Sequence, residues 1–224
     1  GGGALYAAIG ILIALMGVKQ NGVGQYVDTS MLDGAVSWLP VLANDYFVKG
    51  VSPKAAENIL NGQNACYEVY ETADGRYISI GAIEPHLWAN FCDAIGKEEF
   101  KLWQRDLTKQ DEMFACLREM FKSKTQAEWI EKLTGVDCCW APVKNLEEVF
   151  ADPQVLARDM VYEMTDPAGC YGSVKMIGSA VKLSETPARQ ELFPPRKGEH
   201  NAEYLKAVGY SDEQIAEFEK NGII

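Results

Sequence analysis

The chain has 224 residues, 47% of them hydrophobic and 24% charged, which is ordinary for one globular domain or two small ones and excludes extensive disorder. A formal net charge of -11 leaves no reserve of clustered Lys and Arg to neutralise phosphates, so a nucleic-acid-binding surface is excluded. Six cysteines with no CxxC pair, and only two histidines (His86 and His200), argue against a zinc site and read as reduced, mostly buried thiols in a cytoplasmic protein.

The chain opens "GGGALYAAIGILIALMGVKQ". The apolar run from Ala4 to Val18 is shorter than the ~20 residues of a membrane-spanning helix. Lys19 follows the run, whereas a secretory signal is basic before it. Gly3, Ala7, Gly10, Ala14 and Gly17 recur at three- and four-residue steps, while Leu5, Ile9, Leu12, Ile13 and Met16 cover the other sides. This predicts a helix apolar all round with one small-residue stripe that admits a second backbone at close range. Such a helix suits the middle of a large domain, so the chain is expected to be truncated. Gly1 to Gly3 have no preceding strand and no GxGxxG spacing, and make no dinucleotide fingerprint.

"QYVDT", Gln25 to Thr29, reads as a short strand leading to Ser30, an N-cap with Asp33 three residues on. It opens a helix through "MLDGAVSWLPVLANDYF", which Pro40 is expected to kink. Helix, strand and helix in succession suggest an α/β layer. From Val51 the chain loosens into "VSPKAAENILNGQNA", where a domain crossing is expected.

"CYEVYET" and "RYISIGA" are β-rich runs joined by Ala73-Asp74-Gly75, a hairpin signal. "IEPHLWANFCDAIG" follows, with Pro85 at the first helical position, Leu87, Trp88, Phe91 and Ile95 on the buried face, and Gly96 at the left-handed C-terminal position. Further helices are expected behind Asp111, behind Thr125 with Glu128, and behind Asn145 with Glu148. "VDCCWAPV" reads as a buried strand ended by Pro142, and "MVYEMT" and "GSVKMI" as strands around "DPAGCYG". A proline-bearing stretch, "SETPARQELFPPRKGEH", leads to two amphipathic helices, the first closed by Gly209 and the second opened by Ser211 with Gln214.

Glu84 carries the chemical prediction. A carboxylate at a strand-to-helix junction meets unpaired amides and the positive end of the helix dipole, which keeps it ionised. It either orients a proton-shuttling histidine, as the third member of triad-like sites does, or simply caps its helix. His86, on the first turn, is either a general base or a surface histidine, and His200 reads as a helix-start residue. Trp88, Trp103, Trp129 and Trp140 read as core.

Four segments together resemble one family: "GGGALYAAIGILIAL…GVGQYVDTSMLDG", "YEVYETADGRYISIGAIEPHLW", "CCWAPVKNLEEVFADPQVLARDM" and "GEHNAEYLKAVGYSDEQIAEFEKNGII". In this order they resemble the family III CoA-transferases, the carnitine dehydratase/bile-acid-inducible F group, which includes α-methylacyl-CoA racemases. The resemblance implies an α/β fold, here its C-terminal part: residues 1–59 as a remnant of a Rossmann-like large domain, 60–165 as a small α+β domain, and 166–224 as a linker and helices returning to the large domain. It implies an interlocked homodimer acting on an acyl-CoA, with coenzyme A entering as part of the substrate, no tightly bound cofactor, no metal and no membrane partner.

It also implies that the principal aspartate, and the histidine of the racemases, lie upstream of Gly1, so that residues 1–224 alone are inactive. Glu84 matches the glutamate of the racemase motif "GAIEP" that holds the histidine, Tyr67 an aromatic position of the acyl pocket, and Gly62 the adjoining glycine-bearing loop. Where racemases read a Gly-Gly-Ala-Pro-like loop, this chain has Gln63, Asn64, Ala65 and Cys66. α-Proton transfer on a 2-methylacyl-CoA, CoA transfer between carboxylic acids via an aspartyl-CoA intermediate, and a non-catalytic binding or dimerisation role therefore all stay open.

Overall fold

In the computed structural model, which describes residues 1–188 and 192–224, the small residues of the first apolar run act as their spacing predicts. Helix α1 spans Ala4–Asn21 and ends at Gly22, whose left-handed φ of 76° lets its N–H reach the Val18 carbonyl. Gly3, Ala7, Gly10, Ala14 and Gly17 are half-buried, whereas Leu5, Ile9, Leu12, Ile13 and Met16 are each more than half exposed. The chain after Gly22 returns along this stripe. A Cβ on Gly10 would lie 2.9 Å from Val27 Cγ1, and one on Gly3 3.2 Å from Met31 Cγ. The expected strand at Gln25–Thr29 is therefore an extended segment laid on a helix. It has no ladder partner among the described residues, and without one an extended run is not a strand.

Ser30 caps α2 (Met31–Val36) by accepting from the Leu32 and Asp33 amides. A Cβ on Gly34 would collide with the Gly2 carbonyl, so only glycine allows this turn of α2 to meet the start of the chain. Pro40 does not kink a continuous helix. It opens a separate one, α3 (Pro40–Lys49), because at the first position its missing N–H deprives no carbonyl of a partner.

The described chain divides into two compact units, Gly1–Val143 and Lys144–Ile224. In the first, strands β1 (Tyr67–Glu71) and β2 (Tyr77–Gly81) form an antiparallel hairpin in register from Tyr67 opposite Gly81 to Glu71 opposite Tyr77. Its tip is Ala73-Asp74-Gly75, with Gly75 at φ 72°. Asp74 accepts from the Thr72 hydroxyl at 2.5 Å and from the Gln126 amide at 3.2 Å, joining the tip to a helix 52 residues away. Strand β3 (Trp140–Pro142) pairs antiparallel on the far side of β2. It is an edge strand, half-buried at Trp140 and Pro142 and exposed at Ala141, rather than the buried strand expected of "VDCCWAPV". Cys139, at φ 50°, takes the left-handed conformation just before it and cuts the run short.

Helices α4 (Pro85–Ile95), α5 (Phe100–Trp103), α6 (Gln110–Phe121) and α7 (Gln126–Leu133) supply the rest of one core. Phe121 is its centre, with ring centroids 4.8 Å from Tyr70, 6.2 Å from Phe91 and 4.6 Å from Trp129. The two fully buried indoles find acceptors: Trp88 donates to the Phe100 carbonyl at 2.7 Å and Trp129 to the Phe121 carbonyl at 2.9 Å. Trp103 and Trp140 pack against this core from half-buried positions. Asp111 is not a cap. A 3-10 turn at Leu107–Lys109, capped by Asp106, runs directly into α6, so Asp111 lands in the first helical turn, where the dipole still favours it.

The second unit holds α8 (Leu146–Phe150), α9 (Pro153–Ala157), α10 (Asn201–Ala207), α11 (Asp212–Lys220) and one hairpin, β4 (Val161–Thr165) with β5 (Ser173–Ile177). These strands lie on either side of the expected 165/166 boundary and pair with each other. Reciprocal capping boxes are present at Thr125/Glu128, Asn145/Glu148 and Ser211/Gln214, as the sequence predicts. The fold is mixed α/β, and both sheets among the described residues are antiparallel.

Phe121→Ala is expected to lower the unfolding free energy by about 3–5 kcal/mol, read by urea denaturation with tryptophan fluorescence. Asp74 is held below the usual carboxylate range, first by the Thr72 hydroxyl and then by the Gln126 and neighbouring amides. Its contribution is therefore fully present above about pH 4 and is lost as pH falls through its lowered folded value. Asp74→Asn should flatten that part of the acid-unfolding curve.

Candidate functional site

Residues Asn61 to Cys66 enter β1 through a turn that only glycine makes easily, with Gly62 at φ 99°. The chain then dives inward, and Asn64, Ala65 and Cys66 are buried. A buried loop must satisfy its own polar groups, and here three side-chain amides do so. Gln110 accepts from the Ala65 amide at 2.9 Å and donates to the carbonyls of Trp103, Gln104 and Asp106. Asn64 donates to the Gln104 carbonyl at 3.1 Å. Gln104 donates to the Ala82 and Ile83 carbonyls at 3.0 and 2.9 Å, and Arg105 adds a contact to Ile83 at 3.2 Å. The loop before β1 and the chain leaving β2 are thus tied to the same cluster.

Between them lies a groove of about 550 Å³. Tyr67 and Gly62, the two residues expected to bind substrate, both line it, with Glu68, Ser79, Cys139 and Trp140. Gly81 keeps it open, since a Cβ there would lie 3.3 Å from Cys139 Sγ and 3.8 Å from the Tyr67 ring. The walls at Leu60, Val69 and Trp140 are apolar.

Glu84 is not among the lining residues. It lies three positions beyond Gly81, at the N-cap position of α4, exposed, and its side chain accepts no capping hydrogen bond. The expectation that it faces the first-turn amides is corrected accordingly: Glu is not among the short side chains, Ser, Thr, Asp and Asn, that cap readily. What holds this corner is the backbone, through Gln104 and Arg105 on Ile83 and through the Trp88 amide on the Glu84 carbonyl. His86 is exposed on the first turn of α4, and His200 sits at the N-cap of α10, in the other unit, edge-on to Tyr204. Among the described residues no group of three or more His, Cys, Asp or Glu is placed to hold a metal ion.

The six thiols differ in exposure, and Cys116 is half-buried. Cys66, Cys92 and Cys138 are buried, and desolvation raises all three, Cys92 to about 12 and Cys138 to about 11. Cys139 and Cys170 are exposed. The lining at Glu68, Ser79 and Cys139 escapes sequence reading because strand and loop positions far apart in the chain meet only through β-pairing. The three amides escape it because Asn and Gln carry no pattern, and the one available signal is the spacing of Gln104 and Gln110 beside apolar Trp103 and Phe114.

The chain matches the model of CoA-transferase family III over residues 2–201. It is 33% identical over 220 residues to an acyl-CoA transferase of Fusarium pseudograminearum, covering 96% of this chain and 48% of that protein. It is 31% identical over 226 residues to an alpha-methylacyl-CoA racemase of Mus musculus, covering 100% of this chain and 58% of that protein. A crystal structure of a CaiB/BaiF family protein from Brucella suis superposes with a TM-score of 0.71 at 25% identity, over 92% of this chain and 54% of that one. The chain spans about half the length of the curated relatives it matches.

Iodoacetamide at about pH 8 should label Cys139 and Cys170 in the folded chain and leave Cys92 and Cys138 unmodified until denaturant is added, read by peptide mass mapping. Labelling of Cys92 at the same rate as Cys139 would contradict the packing around α4.

Proposed function

The chain belongs to CoA-transferase family III, and we propose that it is the C-terminal part of an enzyme that processes acyl-CoA thioesters by moving the proton on the carbon alpha to the thioester carbonyl of a 2-methylacyl-CoA. The family match and the likeness to a racemase over the whole of this chain support the reading. The observation that carries it is Glu84: an exposed carboxylate, uncommitted to its own helix, on a backbone corner pinned by Gln104 and Arg105.

Inverting an α-carbon needs a base on one face and an acid on the other. In this proposal an aspartate and a histidine from outside residues 1–224 fill those roles, and Glu84 accepts the ring N–H of the histidine, fixing its tautomer and favouring its protonated form. The groove with Tyr67 and Gly62 takes the acyl chain. Residues 1–224 alone are then inactive. Coenzyme A enters with the substrate, no cofactor stays bound, and the intact protein is a cytoplasmic homodimer without nucleic-acid or membrane partners. Ala4–Asn21 is, among the described residues, the one helix long and apolar enough to cross a membrane by length and composition, and in this proposal it packs within the protein.

CoA transfer between carboxylic acids, via an aspartyl-CoA intermediate, is the second reading. It is favoured by the loop at Gln63, Asn64, Ala65 and Cys66, which departs from the racemase pattern, and by the likeness to an acyl-CoA transferase.

The test uses the full-length protein with a 2-methylacyl-CoA in deuterated water, following deuterium at the α-carbon alongside CoA transfer to added acids. Deuterium uptake without CoA transfer is expected. Glu84→Gln should slow uptake by about a hundredfold and lower the apparent histidine pKa in its pH profile. Unchanged uptake removes Glu84 from the mechanism, and CoA transfer without uptake establishes the second reading.

A further inference from the structure

The groove carries more chemical information than its size. Its apolar lining includes Leu60, Val69 and Trp140, and among the described residues Glu68 is the only charged one in the lining. Glu68 is half-buried on β1, opposite Ile80. Its Oε1 accepts from the Val69 amide at 2.8 Å. Its Oε2 lies 3.4 Å from where a Cβ on Gly62 would stand, so the missing side chain of Gly62 leaves this oxygen room. Among the described residues no donor reaches Oε2, and no Lys or Arg lines the groove to neutralise it.

A carboxylate with no cation beside it discriminates by charge. A ligand donor placed against it gains a hydrogen bond to a charged group, and a second carboxylate placed there meets like charge with no neighbouring cation to offset it. Resting on the reading that this groove takes the acyl chain, we infer that Glu68 is its specificity-determining residue: it selects an acyl group with a hydroxyl or ammonium donor at its far end and turns away a terminal carboxylate.

The experiment uses full-length protein and three acyl-CoAs of one chain length, ending in methyl, hydroxyl or carboxylate. kcat/KM is measured for each by α-deuterium uptake and by CoA transfer and normalised to the methyl-ended compound. The hydroxyl-ended substrate is expected to exceed the carboxylate-ended one by about tenfold or more. Glu68→Gln should bring that ratio close to one, since an amide bonds either group without repelling the carboxylate, and Glu68→Lys should reverse it. A ratio unmoved in both variants overturns the assignment of Glu68 while leaving the acyl-CoA reading standing. Absence of both reactions with all three substrates overturns the acyl-CoA reading and this inference with it.

Discussion

A cluster of three buried side-chain amides, Asn64, Gln104 and Gln110, is the constraint on which the rest of the first unit depends. An irregular loop cannot enter a core without leaving backbone donors and acceptors stranded, and each stranded group costs about 1–3 kcal/mol. These amides reach the loop before β1, the turn between α5 and α6, and the chain between β2 and α4. Tyr67 then has a fixed start, through its amide on the Asn64 carbonyl, and the exit from β2 is pinned to the same loop by the Ala82 amide on the Cys66 carbonyl. Groove and Glu84 corner are two outlets of one rigid junction.

The aromatic core does a different job. Phe121, Tyr70, Phe91 and Trp129 supply apolar burial without specifying direction. Direction comes from the indole donors, which tie Trp88 to α5 and Trp129 to the end of α6. The helices are consequently held in position along their axes as well as against the sheet, and the three-stranded sheet can carry a solvent-facing groove on such a small base.

Much of this was legible in the sequence, and the reason is range. The Asp-Gly hairpin, the reciprocal caps at Thr125, Asn145 and Ser211, and the Pro85 to Gly96 helix are set by interactions within a few residues, which sequence displays directly. Gln25–Thr29 misled because an extended backbone is local whereas a ladder is not. Asp111 misled because the 3-10 turn upstream shifted the start of the helix by two positions. Tyr67 and Gly62 could be matched to a family pattern, yet nothing in their spacing shows that Glu68, Ser79 and Cys139 share their groove, since β3 brings Cys139 there from far along the chain.

That distance also bears on the order of events in folding. The hairpin and the capped helices close short loops and can form within microseconds, whereas Ser79 and Ala141, joined across β2 and β3, stand 62 residues apart. Strand β3 therefore closes the longest loop of its sheet, and wherever it is undocked the outer edge of β2 stands unpaired. An unpaired edge is a template for any other extended chain. The three residues Trp140–Pro142 cover that edge of β2, and Pro142, with no N–H to offer, limits how far the new edge can recruit a further strand.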